Sequence, residues 1–313
     1  MKFTALTALH SLLPLARANG PFTHGQIKTL VTFGDSTTDT QRVFNGGVQW
    51  PDYVSGYANV TLYPFAQSGS TCSNAITPRP FPALVESQLP TFFEEKKNGT
   101  VKLEEKSTVY TLWMGTNDIG VNSILTQGNE ATIVDVASCL TGWVKTMYDS
   151  GARNLILQNL FPLEKTPIYS IDSWPAFYWH LPRNATEFHY DMKNYVDTLN
   201  TMTKLMVQDL VPSLPGAHVG IFDTHSMFND VIANPSKYLN GTAPLNTTGC
   251  IKACVYEVGT EINTCTFYAN GTDRDSFVWW DELHASEQAD RNIAKQISNI
   301  ITGVGSPWIN WLS

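Results

Sequence analysis

The sequence predicts a three-layer α/β/α sandwich around a mainly parallel central sheet. Three observations carry that prediction. Short β-branched or apolar runs alternate with helical patterns, as a parallel sheet covered on both faces requires. One of the helical patterns carries an apolar stripe of the kind that packs on a sheet. No Pro-, Ser- or Gly-rich linker and no repeat interrupts the alternation, so residues 19–313 are expected to form one domain.

The predicted strands are residues 29–33, 108–113, 154–157 and 218–222, and the predicted helices are residues 83–97, 131–150, 186–211 and 285–301. In the second helix Val136, Leu140, Val144 and Met147 recur at three- and four-residue intervals, the spacing of a buried stripe. Residues 160–183 and 234–276 are rich in Pro, aromatics and Gly. Both are expected as surface loops bordering a cleft at the carboxyl ends of the strands.

Composition narrows the functional classes. The 313-residue chain is 42% hydrophobic, 15% charged and carries a net charge of −8. An acidic chain without basic clusters argues against nucleic acid or anionic membrane as a partner. Residues 1–18 have the form of a signal peptide: Lys2, an apolar run from Phe3 to Leu15, then Ala16-Arg17-Ala18 as a small-x-small cleavage pattern. His10, Ser11 and Pro14 interrupt the run, which is too short to span a bilayer. A secreted, extracellular, monomeric protein is therefore expected. Six N-x-S/T sites, at Asn59, Asn98, Asn184, Asn240, Asn246 and Asn270, accord with that route.

Five cysteines cannot all pair within one chain. Cys250, Cys254 and Cys265 lie in one loop-like stretch that offers no fourth zinc ligand, so a disulfide is the expected use there and no metal is expected. Cys139, within an apolar helical pattern, is expected as a buried thiol.

Four segments carry residues suited to chemistry. The apolar run 29–33 leads directly into Gly34-Asp35-Ser36, placing a serine at the carboxyl end of a core strand. Such a serine either caps a helix or serves as a nucleophile whose own N–H faces an oxyanion. In Trp280-Asp281-Glu282-Leu283-His284 an Asp and a His three apart suit a carboxylate–imidazole pair; a surface Asp with a structural His is the plainer account. The strand 108–113 ends in Gly115-Thr116-Asn117, presenting an amide fit for an uncharged oxyanion donor or for simple turn chemistry. In Ser68-Gly69-Ser70, Gly69 lets a backbone N–H approach a ligand closely, or merely makes a turn.

Together these segments, FGDSTTD, SGS, GTND and DELH, resemble the blocks of the SGNH/GDSL hydrolase superfamily in the family's own order, spanning residues 33–284. The resemblance implies a flavodoxin-like α/β/α fold and carboxylic ester hydrolysis without a cofactor. It makes Ser36 the nucleophile, His284 the general base, and Asp281 the group that orients it. It places the N–H of Ser36, Gly69 and Asn117 in the oxyanion hole. No GxSxG elbow occurs, which argues against the α/β-hydrolase arrangement. The flanks WPDYVSGY and WWDELHAS are similar to those of fungal acetylesterases of carbohydrate esterase family 16. Gln41 stands where Gly is usual in that pattern, and Ala285 where Pro is frequent.

The substrate so implied is an acetylated plant cell-wall oligosaccharide or another small ester. Trp50, Trp174, Trp179 and Trp280 are candidates for stacking on sugar rings, although core or loop packing is the commoner use of a Trp. The competing activities are those of a lipase, lysophospholipase or thioesterase on the same scaffold. A glycan-binding protein without turnover is the alternative from a different class.

Overall fold

The computed structural model describes residues 20–126 and 130–313, so the proposed signal peptide, residues 1–18, lies outside the described residues. The strands of the main sheet are β1 (Thr29–Gly34), β2 (Thr61–Pro64), β3 (Thr108–Trp113), β4 (Asn154–Gln158) and β5 (His218–Phe222). These five run parallel in the order β5-β4-β3-β1-β2, and Ile309–Trp311 adds an antiparallel strand beyond β5. Every residue of β1, β3 and β4 is buried, the consequence of covering both faces of a parallel sheet.

The helices are α1 (Trp50–Ala58), α2 (Leu89–Asn98), α3 (Thr116–Ile119), α4 (Ile133–Asp149), α5 (Ala185–Leu210), α6 (Thr224–Ala233) and α7 (Glu287–Ile301). Alternation along the strands sends neighbouring side chains to opposite layers. Phe33 packs against Phe92 of α2 and Trp143 of α4 on one face. Trp113 packs on the other face against Phe161, which stacks on Phe228 of α6. The predicted helix at 83–97 opens instead as a π-helical turn, Leu84–Gln88, before α2. Pro90 lacks the N–H an α-helix interior would use, so regular α geometry starts at its first turn.

Both stretches expected as surface loops are more ordered than that. Leu160, Phe161, Leu163, Ile168 and Tyr169 are buried, and residues 246–279 contain β6 (Asn246–Cys250), β7 (Lys252–Tyr256), β8 (Asn263–Phe267) and β9 (Phe277–Trp279). The hairpin β7–β8 is closed by a Cys254–Cys265 disulfide. Cys139 is not a free thiol: it is bonded to Cys72, joining α4 to the segment after Gly69. The free cysteine among the described residues is the buried Cys250. Sequence periodicity registers Cys139 as one more apolar helix position and carries no trace of a partner 67 residues away. Among the described residues no helix is long and apolar enough to cross a membrane.

Candidate active site

Strand order places the site. The chain reverses direction of winding between β1 and β3, and the loops leaving their carboxyl ends therefore open a crevice. Ser36 follows β1 and Asn117 follows β3, so adjacent strands deliver both to it. Gly34 makes the β1 exit possible: with φ +156°, a Cβ there would lie 2.5 Å from the Trp113 carbonyl oxygen of β3. Gln88 holds the same turn, accepting from the Gly34 N–H at 3.1 Å and donating to its carbonyl at 2.7 Å.

Ser36 itself caps no helix. Its carbonyl accepts from Gln49 Nε2 at 3.0 Å, and its Oγ lies 2.8 Å from His284 Nε2 across 248 residues of sequence. His284 Nδ1 faces the Asp281 carboxylate at 3.0 and 3.1 Å. The Nδ1 proton therefore belongs on the carboxylate side, which leaves the Nε2 lone pair for the serine hydroxyl. Asp281 Oδ1 also accepts the backbone N–H groups of Leu283 and His284, at 2.9 and 2.7 Å. Burial alone would raise the Asp281 carboxyl. The neighbouring His284 charge and the hydrogen bonds from His284 and Tyr178 outweigh it and hold Asp281 below the usual carboxylate range.

Gly69 and Asn117 line the same pocket as Ser36. Asp39 Oδ2 accepts the Ser68 N–H and hydroxyl, at 2.8 and 2.7 Å, which binds the Gly69 turn to the loop carrying Ser36. Gly69 has φ +80°, and a Cβ would sit 2.6 Å from the Phe81 ring, so only glycine fits. Among the described residues, the N–H groups of Ser36 and Gly69 donate to no protein acceptor. Asn117 donates from Nδ2 to the Ser70 carbonyl at 2.9 Å, while its Oδ1 accepts from Arg79 Nη1 at 2.8 Å. Next to it Asp118, desolvated by burial, has its carboxyl pushed up to about 6.

Ser36, Gly69, Asn117 and His284 line one pocket of about 200 Å³, with Phe44, Phe81, Phe177 and Leu283 among its apolar walls. Trp50 and Trp280 do not line it. Trp50 is 0% exposed and offers no face to any sugar, because its position opening α1 turns the ring into the core. Trp280 packs beneath the Arg274 guanidinium, 4.7 Å from its ring centroid, and against Phe267. Trp174 instead donates from Nε1 to the Cys254 carbonyl at 3.2 Å. Asn59, Asn98, Asn184, Asn240 and Asn270 are exposed, and Asn246 is half-buried.

Three residues with close contacts in the site carry no motif. Phe44 stacks on the His284 ring at 4.9 Å. Arg79 reaches Asn117 as described. Tyr178 donates its hydroxyl to Asp281 Oδ2 at 2.7 Å and meets the His284 ring edge-on at 5.4 Å. The segment holding Tyr178 is anchored by the Ile168 N–H on the Glu282 carbonyl at 2.9 Å and by the Tyr256 N–H on the Pro175 carbonyl at 2.8 Å. Tyr178→Phe removes one donor from the carboxylate, and kcat is expected to fall about tenfold with little change in KM, the scale of one hydrogen bond to a charged group. Full kcat in that variant would show that the Tyr178 hydroxyl does not act through Asp281.

Fold and site together define an esterase of the SGNH type, and the chain belongs to the GDSL-like Lipase/Acylhydrolase family, whose model matches residues 30–297. It is a carboxylic ester hydrolase. Among its relatives, an acetylesterase of Hypocrea jecorina is 29% identical over 93% of this chain and 94% of that protein. An acetylesterase of Thermothelomyces thermophilus is 21% identical, covering 88% of this chain and 89% of that one. A solved structure of an α/β hydrolase enzyme, LAE5, from the metagenome of Lake Arreo in Spain aligns over 90% of this chain and 97% of its own with a TM-score of 0.47 and 13% identity.

Proposed function

We propose that this esterase removes O-acetyl groups from plant cell-wall oligosaccharides through an acetyl-enzyme on Ser36. The observation that carries the reading is the continuous chain from Ser36 Oγ to His284 Nε2 and from Nδ1 to Asp281, set in a pocket that Gly69 and Asn117 also line. His284 takes the serine proton as Oγ attacks the acetyl carbon, then gives it to the sugar oxygen as the ester C–O bond breaks. The same imidazole deprotonates a water that attacks the acetyl-enzyme, and passes that proton to Ser36 Oγ as acetate leaves. The N–H groups of Ser36, Gly69 and Asn117 receive the oxyanion in both steps. Likeness to the two acetylesterases supports acetyl as the acyl group.

The protein acts outside the cell, with residues 1–18 as its signal peptide and the exposed sequons as glycan sites, in one domain and as a monomer. The Cys72–Cys139 and Cys254–Cys265 bonds suit that oxidising setting. One feature favours a lipase-like reading: the apolar walls of Phe44, Phe81, Phe177 and Leu283 would also suit a longer acyl chain. Comparing p-nitrophenyl acetate with p-nitrophenyl octanoate separates the two. The acetate is expected to show the higher kcat/KM, and release of acetate from acetylated xylo-oligosaccharides should follow. A preference for octanoate would sink the acetylesterase reading.

A further inference from the structure

With Trp50 in the core and Trp280 outside the catalytic pocket, sugar recognition needs another surface. A second cavity, about 360 Å³, adjoins the pocket at Ser36 and shares Arg42 and Ser68 with it as a common wall. Its sides come from the loop after β1, from the chain leaving β2, and from Thr91 and Glu95 on α2. Strands β1 and β2 are parallel neighbours, so both loops rise from the same edge of the sheet. The cavity thus prolongs the catalytic crevice along the carboxyl edge, the side on which open α/β sheets bind ligands.

Its chemistry differs from that of the pocket at Ser36. Gln41, Gln67, Thr91 and Glu95 all line it, and among the described residues none of their side chains makes a hydrogen bond within the protein. Tyr63, Pro64 and Phe65 line the same cavity. The Tyr63 hydroxyl accepts the Lys102 N–H at 3.4 Å. Uncommitted amides, a hydroxyl and a carboxylate around an aromatic surface match a neutral sugar ring, which offers O–H groups at its rim and C–H groups on its face. A lipid chain would leave those polar groups without partners.

We propose that this groove is a saccharide subsite, which holds the sugar residue next to the acetylated one. The assignment rests on the esterase reading and adds that the preferred substrate is an oligosaccharide rather than an acetylated monosaccharide. Asp39, through its bonds to Ser68 and to the N–H groups of Gln41 and Arg42, fixes the wall between the two compartments.

Kinetics on acetylated xylose, acetylated xylobiose and p-nitrophenyl acetate test it. The unmodified enzyme should show a kcat/KM for the disaccharide about tenfold above that for the monosaccharide. Gln67→Ala and Glu95→Ala should each lower the ratio of disaccharide to p-nitrophenyl acetate kcat/KM about tenfold, the loss expected from one hydrogen bond to the sugar. Equal kcat/KM for mono- and disaccharide, or equal losses on sugar and nitrophenyl substrates, would overturn the subsite. A variant that misfolds loses both substrates alike, and the chain-length comparison in the unmodified enzyme then decides. Failure of the unmodified enzyme to hydrolyse p-nitrophenyl acetate would be a different result, removing the esterase reading and the subsite with it.

Discussion

Ser36→Ala is expected to leave the chain folded and to reduce kcat on p-nitrophenyl acetate by roughly 10⁴–10⁶. The loss is large because the acyl group has nowhere else to go: His284 would then have no hydroxyl to deprotonate. Folding should survive because, among the described residues, the Ser36 hydroxyl bonds only to His284, whereas the loop around it is held by other groups. Asp35 accepts the Thr37 N–H and hydroxyl at 3.0 and 2.8 Å, and Gln49 holds the Ser36 carbonyl. Circular dichroism and the thermal midpoint should match those of the unmodified protein. A phosphonate should label the unmodified serine and leave the variant unlabelled. Retained turnover would move the nucleophile elsewhere. Unmodified protein that neither turns over esters nor takes the label would be a binding protein on this scaffold.

How much of this was legible in the sequence depends on how local the causes are. The strands at 29–33, 108–113, 154–157 and 218–222 agree closely with β1, β3, β4 and β5, because residues buried on both faces are mostly apolar or β-branched. Strand β2 escaped: it is four residues long, lies at the edge, is only half-buried and ends in Pro64. Helix α1 was equally unmarked, although Pro51 sits at its first turn, a position that favours helix starts. In the site, Ser36, Gly69, Asn117, Asp281 and His284 each sit within a short block whose spacing is itself the signal. Tyr178 has no such block. Its partner Asp281 is 103 residues away, and only the packing of 160–183 brings them together. Trp50 failed in the opposite direction, since an aromatic suited to a sugar is equally suited to a core. Burial, which a single sequence does not display, separates the two.

Asn117→Ala should cost roughly 10²–10³ in kcat with KM little altered, because an oxyanion donor acts on charge that exists only at the tetrahedral stage. The geometry makes the amide unusually well held. One Nδ2 hydrogen is used by the Ser70 carbonyl and Oδ1 is taken by Arg79, so the amide cannot flip, and its second Nδ2 hydrogen is left for the pocket. The guanidinium also draws charge from Oδ1, which strengthens the N–H as a donor. Arg79→Met should therefore lower kcat as well, by about tenfold, through the loss of that one charge-assisted bond. Because Arg79 acts through Asn117, the two losses should not add: once Asn117 is alanine, removing Arg79 should cost little more. Steady-state kinetics on the two single variants and the double variant measure this directly. A loss below about threefold for Asn117→Ala would take the side chain out of the oxyanion hole and leave the backbone N–H groups of Ser36 and Gly69 as its donors. Full additivity would instead mean that Arg79 works on the substrate independently of the amide it clamps.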